Sequence, residues 1–204
     1  MQTKRSWLVW GVLAVVAAVA GFWVAQQSAS SVPQLTSGTW LPQPRVLDSL
    51  SLTDESGQPF TLTELKGRPT LVFFGFTHCP DICPTTLAKL AQIAKSSGVE
   101  NLRVLLITVD PQRDTPEQLA RYVHAFDPSF KGATGDPEEI QRVAREFGVP
   151  IARVDLPGGD YTVDHSGVVF LLDDQARRVA IFTPPIEIEP TAADIRSVAD
   201  RLHG

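Results

Sequence analysis

A continuous apolar run, Thr70 to Phe76, passes into two cysteines, Cys79 and Cys83, and a helical pattern begins at once. A run so rich in Val and Phe, without alternation, requires a strand buried on both faces. Pro84 to Lys95 then carries Leu87, Leu90, Ala91 and Ala94 at helical spacing and ends near Gly98. Leu102 to Val109 is a second buried strand, stopped by Asp110-Pro111. Strand, helix and strand in this order predict parallel central strands with helices on both faces.

The flanking segments extend that frame. Arg45 to Leu52 and Pro59 to Leu62 enclose the turn-rich Thr53-Asp-Glu-Ser-Gly-Gln58 and predict an antiparallel hairpin. Thr115 followed by Pro116, with Gln118 three residues past the cap, predicts a helix running to Phe126. Asp136-Pro-Glu-Glu starts another, leading to Phe147-Gly148. Tyr161 to Leu172 and Arg178 to Phe182 are strands around Asp173–Arg177, and Thr191 to Leu202 is a last amphipathic helix. The terminal hairpin makes the sheet mixed. Cysteines between a first parallel strand and its following helix are where a thioredoxin-like α/β fold places its site. The predicted fold is therefore thioredoxin-like, a mixed central sheet flanked by helices.

The N-terminus bears on compartment. Lys4 and Arg5 precede an uncharged run from Trp7 to Val24, with Trp7, Trp10 and Trp23 near its ends. Eighteen residues at about 1.5 Å each span roughly 27 Å, close to the hydrocarbon thickness. Basic residues lie only on its N-terminal side until Arg45, which places the N-terminus in the cytoplasm and the remainder outside. Ser28-Ala-Ser30 also fits a cleaved signal peptide, but the length and the tryptophans favour an uncleaved transmembrane helix. The organisation read from sequence is an anchor over residues 1–25, a Ser/Gln/Thr/Pro-rich linker over 26–44 and one domain over 45–204. In a bacterium this is a single-pass inner-membrane protein with its C-terminal domain in the periplasm. A net charge of −5, with no basic cluster beyond the N-terminus, gives nucleic-acid binding no support.

Cys79 and Cys83 are the only cysteines. A helix N-terminus stabilises a thiolate, which is both nucleophile and metal ligand, so position alone leaves redox and metal chemistry open. Thioredoxin-type oxidoreductases separate their cysteines by two residues. Here Pro80, Asp81 and Ile82 intervene, and positions i and i+4 share a helical face, leaving room for an ion between the sulfurs. A structural disulfide suits an exported protein, but closing so short a loop constrains the unfolded chain little.

Four histidines are available as further ligands. His203 is terminal, His124 lies on the Pro116–Phe126 helix, and His78 adjoins Cys79, from which it points away in extended chain. His165 differs: it starts the segment before the apolar run Val168–Leu172, and in thioredoxin-like folds that segment faces the cysteines, usually with a cis-proline. No proline lies between Val163 and Asp173. Asp164 is either an orienter of the His165 ring or a solvated turn carboxylate, and Asp81 is at most an outer partner of the site. Asp110, Arg113 and Asp114 fix the loop after the second parallel strand. Two thiolates and one imidazole form a soft set suited to copper, Cu(I) especially, with Cu(II) and zinc also admissible. A structural zinc site wants a fourth ligand, and none is evident.

Thr77-His-Cys-Pro-Asp-Ile-Cys-Pro-Thr-Thr86, Val109-Asp-Pro-Gln-Arg-Asp-Thr-Pro116 and Asp164-His-Ser166 resemble the Sco/SenC family in order and spacing. The Gly-Asp stretch at Thr134-Gly-Asp136 and the apolar N-terminus are similar too, and the likeness covers about Leu41 to Leu202. The resemblance implies a membrane-anchored copper-binding thioredoxin-fold protein that assists assembly of the binuclear copper centre in cytochrome c oxidase subunit II, or of another copper-accepting exported protein. It implies Cys79, Cys83 and His165 as copper ligands. Delivery of copper and reduction of the recipient's cysteines both remain open, and a periplasmic thiol–disulfide oxidoreductase using Cys79 and Cys83 is the alternative. A peroxidase is disfavoured, because Thr77-His78-Cys79 lacks the Arg and Thr setting of a peroxidatic cysteine.

Overall fold

The computed structural model describes residues 10, 11, 13–23 and 34–203, and the chain divides into two units, residues 1–34 and Leu35–Gly204. In the first unit residues 10, 11 and 13–23 are helical. Among the described residues no helix is long and apolar enough to cross a membrane. The predicted span from Trp7 to Val24 lies partly outside them, and the Ser28-Ala-Ser30 segment wholly so.

The second unit is built on an eight-stranded mixed sheet. Its strands are β1 (Gly38–Val46), β2 (Ser51–Asp54), β3 (Pro59–Thr61), β4 (Thr70–Gly75), β5 (Arg103–Thr108), β6 (Lys131–Thr134), β9 (Val169–Leu172) and β10 (Arg177–Phe182), in the spatial order β1-β10-β9-β4-β5-β6-β2-β3. Helix α1 (Leu62–Leu65) precedes β4, while α2 (Ile82–Ser97), α3 (Pro116–His124), α4 (Pro137–Phe147) and α5 (Ile188–His203) complete the layers. A separate two-stranded ribbon joins β7 (Ile151–Asp155) to β8 (Tyr161–His165).

The centre follows the hydrophobic pattern. All six residues of β4 and all six of β5 are buried, and the two strands pair in parallel from Thr70–Arg103 to Gly75–Thr108. β6 continues the parallel set, while β9 pairs antiparallel with β4. The helix starts are as read: Thr115 and Gln118 form a capping box, and the Asp136 side chain accepts from the Glu138 amide. Helix α2 begins at Ile82, two residues earlier than the apolar spacing marks, which brings Cys83 into its first turn. Pro84 is tolerated there because first-turn amides have no intrahelical partner.

Besides α1 and β7, which the sequence expectation does not include, four features differ from it. Residues 38–44, assigned to the linker, belong to β1, an edge strand paired antiparallel with β10. Pro42 and Pro44 hid it, but an edge strand accommodates proline, and the register slips between Trp40 and Arg45. The strand expected over Arg45–Leu52 is interrupted after Val46 and resumes at Ser51. The short β6, Lys-Gly-Ala-Thr, carries too little apolar pattern to be recognised. Finally, the strand expected from Tyr161 to Leu172 is two strands, and only the second joins the main sheet.

Candidate metal centre

The cysteine loop leaves the buried end of β4 and is held from below. Asp114, fully buried, accepts hydrogen bonds from the Thr77 amide (3.1 Å), the Thr77 hydroxyl (2.6 Å) and the Thr108 hydroxyl (2.6 Å). The Cys79 amide then donates to the Phe76 carbonyl at 3.3 Å, turning the chain into α2. Gly75 is required by close approach, since a Cβ there would stand 3.1 Å from Cys83 Sγ and 2.9 Å from Phe73 Cε1.

Cys83 is completely buried, whereas Cys79 is half-buried, and both thiols are free. The Cys83 amide donates to Cys79 Sγ at 3.3 Å, so a first-turn N–H of α2 faces that sulfur as helix termini favour. Burial, reinforced by the hydrogen bond with Cys79, pushes the Cys83 thiol far above its ordinary value of 9.0. Cys83 therefore holds its proton until a partner replaces it.

His165 arrives from the ribbon. Its Nε2 lies 3.6 Å from Cys83 Sγ, and its Nδ1 is 3.0 Å from the Val163 carbonyl. A carbonyl only accepts, so in the neutral ring Nδ1 carries the hydrogen and Nε2 presents its lone pair to the sulfur. The ring packs edge-on to Phe76, with centroids 5.6 Å apart, and tilts against Phe73 at 6.4 Å. Asp164, considered as the orienter of this ring, is exposed and points to the other face of β8, as strand alternation demands. The Val163 carbonyl takes that role instead.

The structure thus brings Cys83 against both Cys79 and His165, the latter 82 residues further along the chain. The contacts are pairwise: among the described residues no three His, Cys, Asp or Glu side chains stand already gathered for a metal ion. The donor chemistry fits a soft ion nonetheless, because an imidazole lone pair and a thiol converge in a site walled by aromatic rings. Of the other histidines, His78 is half-exposed, with Nδ1 3.1 Å from the Thr77 hydroxyl and 3.9 Å from Asp114. His124 lies at the C-terminal end of α3, 3.9 Å from Glu55. The side chain of His203 lies outside the described residues.

Sequence reasoning placed Asp110, Arg113 and Asp114 in a structural loop but missed their partner on the ribbon. The Tyr161 hydroxyl donates to Asp110 Oδ1 at 2.9 Å, and Arg113 Nε donates to Asp110 Oδ2. Burial first, then the bond to Asp110, pushes the Tyr161 phenol up and keeps it a donor. Its period-two relation to His165 was the available signal, since Tyr161, Val163 and His165 share one face of β8.

A mixed thioredoxin-like fold with a dithiol at the strand-to-helix junction and an imidazole facing it defines the class of protein. The chain belongs to the SCO1/SenC family, whose model matches residues 41–200. A relative in Stutzerimonas stutzeri, named as a copper-binding protein, is 39% identical over 152 residues, which cover 73% of this chain and 74% of its own. The crystal structure of Arabidopsis thaliana ScoI with copper bound is similar at a TM-score of 0.71 and 35% identity, over 78% of this chain and 99% of that one. BsSco, a member of the Sco family of cytochrome c oxidase assembly proteins in which a disulfide switch was identified, shares the fold at a TM-score of 0.61 and 24% identity, over 79% and 98% of the two chains.

Proposed function

We propose that this chain is a copper carrier whose exported domain takes copper through Cys79, Cys83 and His165 and serves assembly of the binuclear centre in cytochrome c oxidase subunit II. One observation carries the ligand assignment: His165 Nε2, its lone pair free because Nδ1 is tied to Val163, lies 3.6 Å from Cys83 Sγ. Copper displaces the thiol protons and takes thiolate and imidazole as ligands. A relative named for copper binding and another solved with copper bound support the cargo, and the family's link to oxidase assembly supports the destination. The uncharged run from Trp7 to Val24 with its N-terminal basic residues supports a single-pass anchor in the bacterial inner membrane, with the domain in the periplasm.

The test is titration of the reduced full chain in detergent with Cu(I) against a competing chelator. One copper per chain is expected, and His165→Ala should weaken binding at least about tenfold. Equal affinity in wild type and variant would sink the three-ligand assignment. Oxidising Cys79 and Cys83 to a disulfide should abolish tight binding, and stoichiometric binding retained after oxidation counts equally against it.

A second reading rests on the unequal burial of the two thiols. The sulfur of Cys79, the less buried of the two cysteines, can attack a partner's disulfide, forming a mixed disulfide and releasing one partner thiol. Cys83 then displaces the second, leaving Cys79–Cys83 oxidised and the partner reduced by two electrons and two protons. Metal-free turnover of a protein disulfide by the His165→Ala variant would favour this role over copper delivery.

A further inference from the structure

The ribbon that carries His165 has no strand partner in the main sheet, and an isolated two-stranded ribbon is marginal in water. Its place against the domain must come from side chains. Val163 is buried beneath it, but Val154 and Leu156 are exposed. Apart from the His165–Cys83 contact itself, the directional ties converge on Tyr161 and its neighbour Asp160. The Tyr161 ring lies between two guanidinium groups, Arg113 at 3.7 Å and Arg153 at 3.8 Å from its centroid. Its hydroxyl donates to Asp110, a nearly completely buried carboxylate that also accepts from Arg113. Arg113 Nη1 reaches Asp160 at 3.2 Å.

The opposite end of the same loop grips the cysteines. Asp110 to Asp114 is closed on itself by the Arg113 and Asp114 amides, which donate to the Asp110 carbonyl at 3.1 and 3.0 Å. Asp114 holds the Thr77 amide and hydroxyl, two residues before Cys79. One five-residue turn therefore grasps the thiol-bearing loop with Asp114 and the imidazole-bearing ribbon with Asp110 and Arg113.

We infer that the Asp110–Arg113–Tyr161 clamp is the gauge that sets how closely His165 approaches Cys83. This rests on the copper reading only for its consequence; the geometry it explains exists without metal. Tyr161 and Arg113 touch neither sulfur nor copper. They are positioning residues, acting through β8: Tyr161 is four residues from His165 on the same face, so releasing its hydroxyl and its cationic stack frees the ribbon to swing the imidazole away. The clamp also gives the carrier a means of adjusting one ligand while the two thiols stay fixed.

Two measurements test it, both on the reduced full chain in detergent. The first is metal-free: ring-nitrogen NMR of His165. In the wild type a single Nδ1–H tautomer is expected. In Tyr161→Phe and in Arg113→Lys the ring signals should move toward those of a solvent-averaged imidazole, while Val154→Thr, on the exposed ribbon, leaves them in place. Unchanged His165 signals in both clamp variants would overturn the inference, whatever copper does. The second is a double-mutant cycle in Cu(I) affinity. Tyr161→Phe or Arg113→Lys should weaken binding about tenfold, as supporting partners of metal ligands commonly do, and by less than about twofold when His165 is already Ala. Equal losses in both backgrounds would show a general structural effect and reject the gauge. A wild-type chain that binds no copper would instead refute the proposed function, leaving the NMR result to decide the clamp.

Discussion

The two halves of the site are built to different standards. The thiol side stands on the most buried strands of the domain: Phe73, Phe74, Leu105 and Leu106 are wholly inaccessible, and Cys83 with them. The imidazole side stands on a ribbon outside the main sheet, whose register is internal and whose tip, Leu156 to Asp160, is exposed. A close-packed base cannot adjust by a methylene without loss, whereas a ribbon held to the domain by a tyrosine hydroxyl and the Arg113 stack can. If the site takes up and releases copper as proposed above, that asymmetry would serve it: the two thiols fixed, the imidazole movable.

The glycines make the same contrast in miniature. Gly75 is glycine because nothing larger fits between Phe73, Cys83 and Leu106. At the ribbon tip, a Cβ on Gly158 or Gly159 would meet nothing within 4 Å; these are glycines because the backbone turns at φ of 92° and 88°. Crowding dictates the first and turn geometry the second.

The hardest blow to the contrast would be a thiol side that tolerates damage. Asp114→Ala should have the largest effect, because it strips the acceptor from three donors beneath the cysteine loop, two of them on Thr77. Leaving such groups unpaired in a buried setting costs about 3 kcal/mol or more, to be read from urea unfolding at neutral pH. A loss under about 1 kcal/mol would mean that the cysteine loop is not anchored where the structure holds it. Gly75→Ala comes next. The added methyl forces apart Phe73, Cys83 Sγ and Leu106, and overpacking of this kind costs about 1–3 kcal/mol. The same denaturation curve measures it, and a neutral result would show slack beneath Cys83.

The two sides were also unequally legible in the sequence. The thiol side could be read almost outright, since an unbroken apolar strand followed by helical spacing has few solutions, and Cys79 and Cys83 fall at its junction. His165 was reachable only by matching Val168–Leu172 to a strand beside the cysteines. The ribbon itself was not. Ile151–Asp155 is five residues of which only Ile151 is partly buried, too little pattern to recognise, and Tyr161–His165 merged with the strand behind it. Its partners lie in a loop about 50 residues away, joined through a hydroxyl and a stacked guanidinium, and local periodicity records neither. β1 was concealed for a related reason: its prolines mark a linker unless an edge position is known in advance.

The smallest effect tests how dry the thiol side is. Burial raises Cys83 well above the 9.0 of an accessible thiol, so the folded chain keeps this proton in a range where the unfolded chain loses it. Proton binding that is stronger in the folded state contributes stability that is complete below about pH 9 and declines above it. The decline reaches roughly 1.4 kcal/mol one pH unit past the unfolded value. Reduced, metal-free wild type should therefore lose stability across this window more steeply than Cys83→Ala, which has no thiol to titrate, by about that amount in urea unfolding. The comparison cancels the lysines and tyrosines common to both chains. Parallel pH profiles would mean that Cys83 ionises in the folded protein as freely as in the unfolded one. The base would then be wet, and the difference between its rigid and movable halves would lose its physical cause.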